Sequence, residues 1–222
     1  MSLRNANRLP LAELEPYLLQ LPAEPEQLCW GSVFGNDHPV ELEVGFGKGA
    51  FIVAAALAHP HLNFVGIEID RALQLYVASR LAKRRLANVR LIRGDATRIV
   101  ASQVPSASLQ AIHVYFPDPW WKRRHRKRRI FTPAFAASCA RAITPHGHLH
   151  LATDVEEYFQ VMLRVLAQES RFMMLDPGAA ESGSPGELAV TNFQQKALAD
   201  GRAIWRRTYV RVADADHSPV RV

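Results

Sequence analysis

From Val40 onward the chain alternates short aliphatic runs with longer runs of helical spacing, and this alternation constrains the fold more than any other feature. VELEVGF (40–46) is a strand that runs into glycines, and GAFIVAAALAHP (49–60) is a helix closed by Pro60. NFVGIEI (63–69), RALQLYVASRLAKRRL (71–86) and NVRLIRGDA (88–96) continue as strand, helix and strand. A short helix over 96–103 leads to a fourth strand, LQAIHVYF (109–116). TPAFAASCARAI (132–143) is a helix with Thr132 as N-cap before Pro133. GHLHLATD (147–154) is a fifth strand, and VEEYFQVMLRVLAQES (155–170) a helix with Val155, Phe159, Met162 and Leu166 on one stripe. WRRTYVRV (205–212) alternates like a late strand, after a loop at 176–187. Such alternation implies an α/β, doubly wound, mostly parallel sheet with helices on both faces. Ligands of such sheets bind at the carboxyl ends of the strands. Residues 1–39 are punctuated by five prolines and read as an N-terminal extension with a short helix near Leu11–Gln20.

At those carboxyl ends the first strand closes on Gly45-Phe46-Gly47-Lys48-Gly49-Ala50. Glycines at Gly45, Gly47 and Gly49 allow a tight turn and a close approach of backbone N–H groups to a ligand. The string also fits the dinucleotide pattern, so by itself it does not separate a nicotinamide cofactor from S-adenosylmethionine. Glu43, just before the first glycine, disfavours a pyrophosphate but suits an ammonium. Glu68, 23 residues after Gly45 at the end of the second strand, suits two ribose hydroxyls. Asp95, after the third strand, suits an adenine amino group. Each acid taken singly is also a candidate helix cap.

The fourth strand ends in VYFPDPWWKRRHRKRRI (114–130). Proline fixes its own φ and pushes the preceding residue toward extended backbone, so Asp118 sits on a stiff bend between Pro117 and Pro119. Seven of the eight residues 122–129 are Lys or Arg. The whole chain holds 27 basic and 21 acidic residues; without those seven the balance is 20 against 21, or −1. The positive excess is therefore one patch, suited to a polyanion. Alone, the run would equally suit a solvated basic helix.

Other features exclude function classes. No run of about 18 apolar residues is present, so no membrane span is expected. The N-terminal MSLRNANRLPLAEL lacks a signal-peptide core, and Cys29 and Cys139 stand far apart as two reduced thiols, which together indicate a cytoplasmic protein. His146, His148 and His150 share one strand face, but no fourth ligand accompanies them, so no metal is expected.

The segments VGFGKGAF, GIEID, GDA, FPDPWWKRRHRKRRI, ATD and TNFQQKALADGRAIW, in this order, resemble the bacterial tRNA (guanine-N7)-methyltransferase family, which methylates the variable-loop guanosine. The resemblance implies a class I methyltransferase (Rossmann-like) domain over 40–222 with a seven-stranded sheet. It implies S-adenosylmethionine contacts at Glu43, Glu68, Asp95 and Asp118, with Asp118 catalytic. It implies tRNA contacts at Lys122, Asp154, Thr191, Asn192, Phe193 and Gln194. The family more often has an acid at the position of Gln194 and a His or Pro at that of Trp121. Either a monomer or a homodimer is compatible with the sequence. Two other readings start from the same glycine turn: a NAD-dependent oxidoreductase, which leaves the basic run unexplained, and a non-catalytic RNA-binding module, which leaves Glu43, Glu68 and Asp95 unexplained.

Overall fold

A computed structural model describes residues 9–21, 26–120, 123–175 and 199–213. Eight strands form one sheet in the order β1-β4-β3-β2-β5-β6-β8-β7. They are β1 (Leu18–Leu19), β2 (Val40–Val44), β3 (Asn63–Glu68), β4 (Val89–Arg93), β5 (Leu109–Tyr115), β6 (Ile143–Thr153), β7 (Phe172–Met174) and β8 (Trp205–Arg211). Only β8 is antiparallel to its neighbours. The helices are α1 (Leu11–Leu14), α2 (Trp30–Phe34), α3 (Ala50–Ala58), α4 (Arg71–Arg84), α5 (Ala96–Ser102), α6 (Pro133–Ala142) and α7 (Glu156–Leu166).

The expected seven strands are present, and the eighth comes from the segment before Val40. There the predicted helix stops after four residues because Pro16 intervenes, and Leu18 and Leu19 instead pair in parallel with Leu91 and Ile92. Trp30 Nε1 also donates to Ser108 Oγ at 3.1 Å, which ties α2 to the start of β5.

The sheet separates two apolar cores. One contains Phe51, Ile52, Val77, Leu81 and Leu91, under α3 and α4. The other contains Phe135, Cys139, Tyr158, Phe159, Met162 and Leu166, under α5, α6 and α7. The stripe on α7 faces this second core as its spacing requires; each such side chain contributes roughly 1.5–3 kcal/mol on burial. Thr132 Oγ1 accepts from Phe135 N at 3.2 Å, the expected cap of α6.

β2 lies centrally, with β3 and β4 on one side and β5 and β6 on the other. The strand order therefore reverses direction between β2 and β5, the place where open sheets of this kind bind their ligands. Both the glycine turn and the Asp118 bend leave the sheet at this point.

Candidate functional site at the carboxyl edge of the sheet

The glycine turn needs its glycines. Gly45, Gly47 and Gly49 have φ of +72°, +51° and +67°, in the left-handed region that side chains disfavour. At Gly49 a Cβ would also stand 2.7 Å from the Val77 side chain, so α3 and α4 could not pack as closely.

Glu43 points from β2 into the interior below this turn and is 5% exposed. Its Oε2 is buried without a hydrogen-bond partner among the described residues. Burial, with a smaller contribution from the charge of Glu68, pushes its carboxyl up to about 8. Glu43 is not a helix cap. It is a carboxyl group that lacks a cation.

Glu68 is held differently. Its Oε2 accepts from Gly47 N at 3.0 Å, and its Oε1 accepts from Ile69 N at 2.8 Å and Asp70 N at 3.1 Å. Of roughly four acceptor positions of the carboxylate, one thus braces the glycine turn and two bind the backbone that follows β3. Asp95 does cap α5: Oδ1 accepts from Thr97 N at 2.9 Å and from the Thr97 hydroxyl at 2.6 Å. Capping and ligand binding are compatible, because the exposed Asp95 keeps Oδ2 for a donor.

The Asp118 bend departs from expectation at its first residue. Phe116 has φ of +50° instead of extended backbone, because Phe116 N still donates to Ala152 O at 2.7 Å while the chain turns away. Trp120 is also left-handed, at φ +42°. Two such residues store on the order of 1–3 kcal/mol each, held by surrounding contacts. Arg129 Nε donates to Pro119 O at 2.7 Å, and its guanidinium lies 5.1 Å from the Tyr158 ring centroid. The Arg128 guanidinium lies 5.0 Å from the Trp120 ring. The basic run is thus a 3₁₀ helix, Arg123–Arg128, folded back on the bend. Arg129 is committed to shaping that bend, a role its place in a basic run concealed. Asp118 itself is exposed.

Asp154, after β6, is not a cap. It forms an ion pair with Arg202, which also reaches Asp200 at 3.2 Å. Trp121, Lys122 and residues 191–194 lie outside the described residues. Among the described residues no group of three or more His, Cys, Asp or Glu could hold a metal ion, and no helix is long and apolar enough to cross a membrane.

An orphaned buried carboxyl before a glycine turn, an acid ending the next strand and a third acid beyond it fit the ammonium, ribose and adenine groups of S-adenosylmethionine. With the sheet order above, they define a class I methyltransferase. Residues 37–207 match the family described as "Putative methyltransferase". The tRNA (guanine-N(7)-)-methyltransferase of Rhodopirellula baltica is 36% identical over 94% of this chain and 78% of its own length. That of Thiobacillus denitrificans is 35% identical over 90% of this chain and 87% of its own length. The chain belongs to the tRNA (guanine-N7)-methyltransferase family. Among solved structures, the 16S rRNA methyltransferase KamB shares the fold, with a TM-score of 0.60 at 14% identity over 83% of this chain and 93% of that one. A 16S rRNA (adenine(1408)-N(1))-methyltransferase from Catenulisporales acidiphilia, solved with S-adenosylmethionine, gives 0.56 at 15% identity over 84% and 92%.

Proposed function

We propose that this chain transfers a methyl group from S-adenosylmethionine to N7 of a guanosine in the variable loop of tRNA. The observation that carries the reading is the Asp118 bend, an exposed carboxylate on a braced turn between the cofactor glycines and a basic 3₁₀ helix. When bound, the cofactor supplies an electrophilic methyl group on a sulfonium. Guanine N7 carries a free lone pair, so no base has to remove a proton first. The chain's task is then positioning and charge. Glu43, Glu68 and Asp95 hold the three parts of the cofactor. Asp118 accepts from the guanine N1–H and N2–H₂ donors and balances the positive charge that the base acquires. Lys122, Asp154 and residues Thr191, Asn192, Phe193 and Gln194 complete the tRNA contacts, and exposed members of the basic 3₁₀ helix meet phosphates. For Asp154 this requires that it part from, or share, Arg202. A NAD-dependent oxidoreductase is disfavoured by Glu43, since a pyrophosphate beside a buried, unpartnered carboxyl adds repulsion. Such an enzyme works where tRNA is, in the cytoplasm.

The test is Asp118→Asn in single-turnover methyl transfer to unmodified tRNA at saturating cofactor, with chemical mapping of N7-methylguanosine. Asn keeps the shape but loses the charge and turns a donor toward guanine. The rate should fall about 10²–10³-fold, as for one preorganised electrostatic group. Affinity for tRNA, set mostly by phosphates, should change far less. A rate within threefold of wild type would reduce Asp118 to a turn former.

A further inference from the structure

Tyr158, in the first turn of α7, is fully buried in the second core, yet it carries a hydroxyl that apolar packing does not require. A buried hydroxyl needs a partner. The partner here comes from the end of the basic segment, where Phe131 N donates to the Tyr158 oxygen at 3.5 Å. The face of the same ring carries the Arg129 guanidinium, 5.1 Å from its centroid. A cation is drawn to the negative face of a neutral aromatic ring. Burial pushes the Tyr158 hydroxyl above the usual phenol range, so the ring stays neutral at neutral pH. The backbone of Phe131 and Ile130 and the charge of Arg129 oppose that shift, and the charge of Asp118 adds to it. Tyr158 therefore lies within electrostatic reach of Asp118.

Arg129 connects this ring to the bend. Its Nε donates to Pro119 O at 2.7 Å, and Pro119 directly follows Asp118. On the other side Phe116 N donates to Ala152 O at 2.7 Å. The segment Pro117-Asp118-Pro119 is thus pinned at one end to β6 and at the other, through Arg129, to α7. Pins are needed because Phe116 and Trp120, at its two ends, are both left-handed. Such residues persist only where surrounding contacts over-determine them. Pro119 has no N–H to donate, so its carbonyl is the group by which the far end can be held. A guanidinium on a flexible stem would hold that carbonyl loosely. The rigid ring beneath Arg129 fixes where its Nε points.

We propose that Tyr158 is a positioning residue for the Asp118 carboxylate: its ring seats Arg129, and Arg129 in turn pins Pro119 O and holds the Asp118 bend. The inference rests on Asp118 acting in methyl transfer. The Tyr158 hydroxyl, by taking Phe131 N, fixes the backbone just beyond Arg129 and keeps the guanidinium over the ring. The strand-end acid and the first turn of α7 then move as one unit.

The experiment is single-turnover methyl transfer to unmodified tRNA at saturating cofactor. Tyr158→Leu removes ring and hydroxyl, and the rate should fall about 10²-fold, the loss that a 1 Å misplacement of a reacting group brings. Tyr158→Phe keeps the ring under Arg129 and should restore most of that rate. Arg129→Lys keeps a cation but loses the planar group and its Nε donor, so it should slow transfer as Tyr158→Leu does. Arg129 is only half-buried, so this variant gives the answer even if Tyr158→Leu does not fold. Affinity for S-adenosylhomocysteine, by calorimetry, should be unchanged in each variant, and affinity for tRNA should change far less than the rate. The decisive measurement pairs each variant with Asp118→Asn. In that background Tyr158→Leu or Arg129→Lys should slow transfer by less than about twofold more, because the group they position is gone. The same loss in both backgrounds would mean that the two residues serve general packing, and a fall in tRNA affinity without a fall in rate would assign Arg129 to a phosphate. Either result overturns the proposal. If Asp118→Asn alone transfers within threefold of wild type, the failure lies in the role given to Asp118, and the proposal falls with it.

Discussion

Cofactor binding to this protein should release a proton, and the quantity follows from Glu43. Its carboxyl is raised from 4.5 to about 8 by burial. At pH 7 roughly nine molecules in ten therefore carry the proton, at one pH unit below that value. An ammonium ligand needs the carboxylate, so binding must expel the proton at an expense of about 1.4 kcal/mol at pH 7 and about 2.7 kcal/mol at pH 6. Apparent affinity should then rise about tenfold per pH unit between pH 5.5 and 7.5. The assay is titration calorimetry with S-adenosylhomocysteine at pH 6 in buffers of different ionisation enthalpy, which counts close to one proton released. Glu43→Gln should abolish both the proton release and the pH dependence while weakening binding at pH 7.5. The same shift has a consequence for the free protein. Because the folded value is the higher one, the stability contribution is complete below pH 4.5 and is lost as pH rises through about 8. Melting of the free protein should therefore decline over that range, and less so for Glu43→Gln. An affinity that is flat with pH, with heats independent of buffer, would show that Glu43 is already ionised and that its missing partner is supplied in some other way.

Glu68→Ala should weaken S-adenosylhomocysteine binding by about 2–3 kcal/mol, from one charge-assisted bond to ribose and a glycine turn that has lost its brace; unchanged affinity by calorimetry in a folded variant would remove Glu68 from the site. Replacing Arg123, Arg124, Arg126 and Lys127 by Gln spares Arg128 and Arg129, which serve the bend. If the four meet phosphates, log K for tRNA should fall against log salt with a slope of about −3 in wild type and become nearly flat in the variant, at ~0.7 per contact. A slope that stays the same would assign the run to solvent.

Periodicity and punctuation made most of this molecule legible before its coordinates. The strands from Val40 to Thr153 and the late strand Trp205–Arg211, the helices between them, the cap at Thr132 and the glycine turn are all written in local residue choice, because each depends on neighbours within a few positions in the chain, whereas the three-residue β7 carries no such signal. The Pro-Asp-Pro bend was equally local, and the family resemblance attached a chemistry to it. Long-range geometry was not written there. Leu18 and Leu19 became an eighth strand only because the edge of β4 was open to them. Glu43, Glu68 and Asp95 looked alike as acids at the ends of successive strands. The fold made one a buried orphan, one a brace for the glycines and one a helix cap, since burial and partners are properties of the packed sheet. Arg129 was one cation among seven until the chain folded it onto Pro119 O. Asp154 met Arg202 across 48 residues of sequence. The link from Tyr158 through Arg129 to Pro119 depends on α7 lying against the bend, and that contact belongs to the packed fold and to no stretch of the sequence.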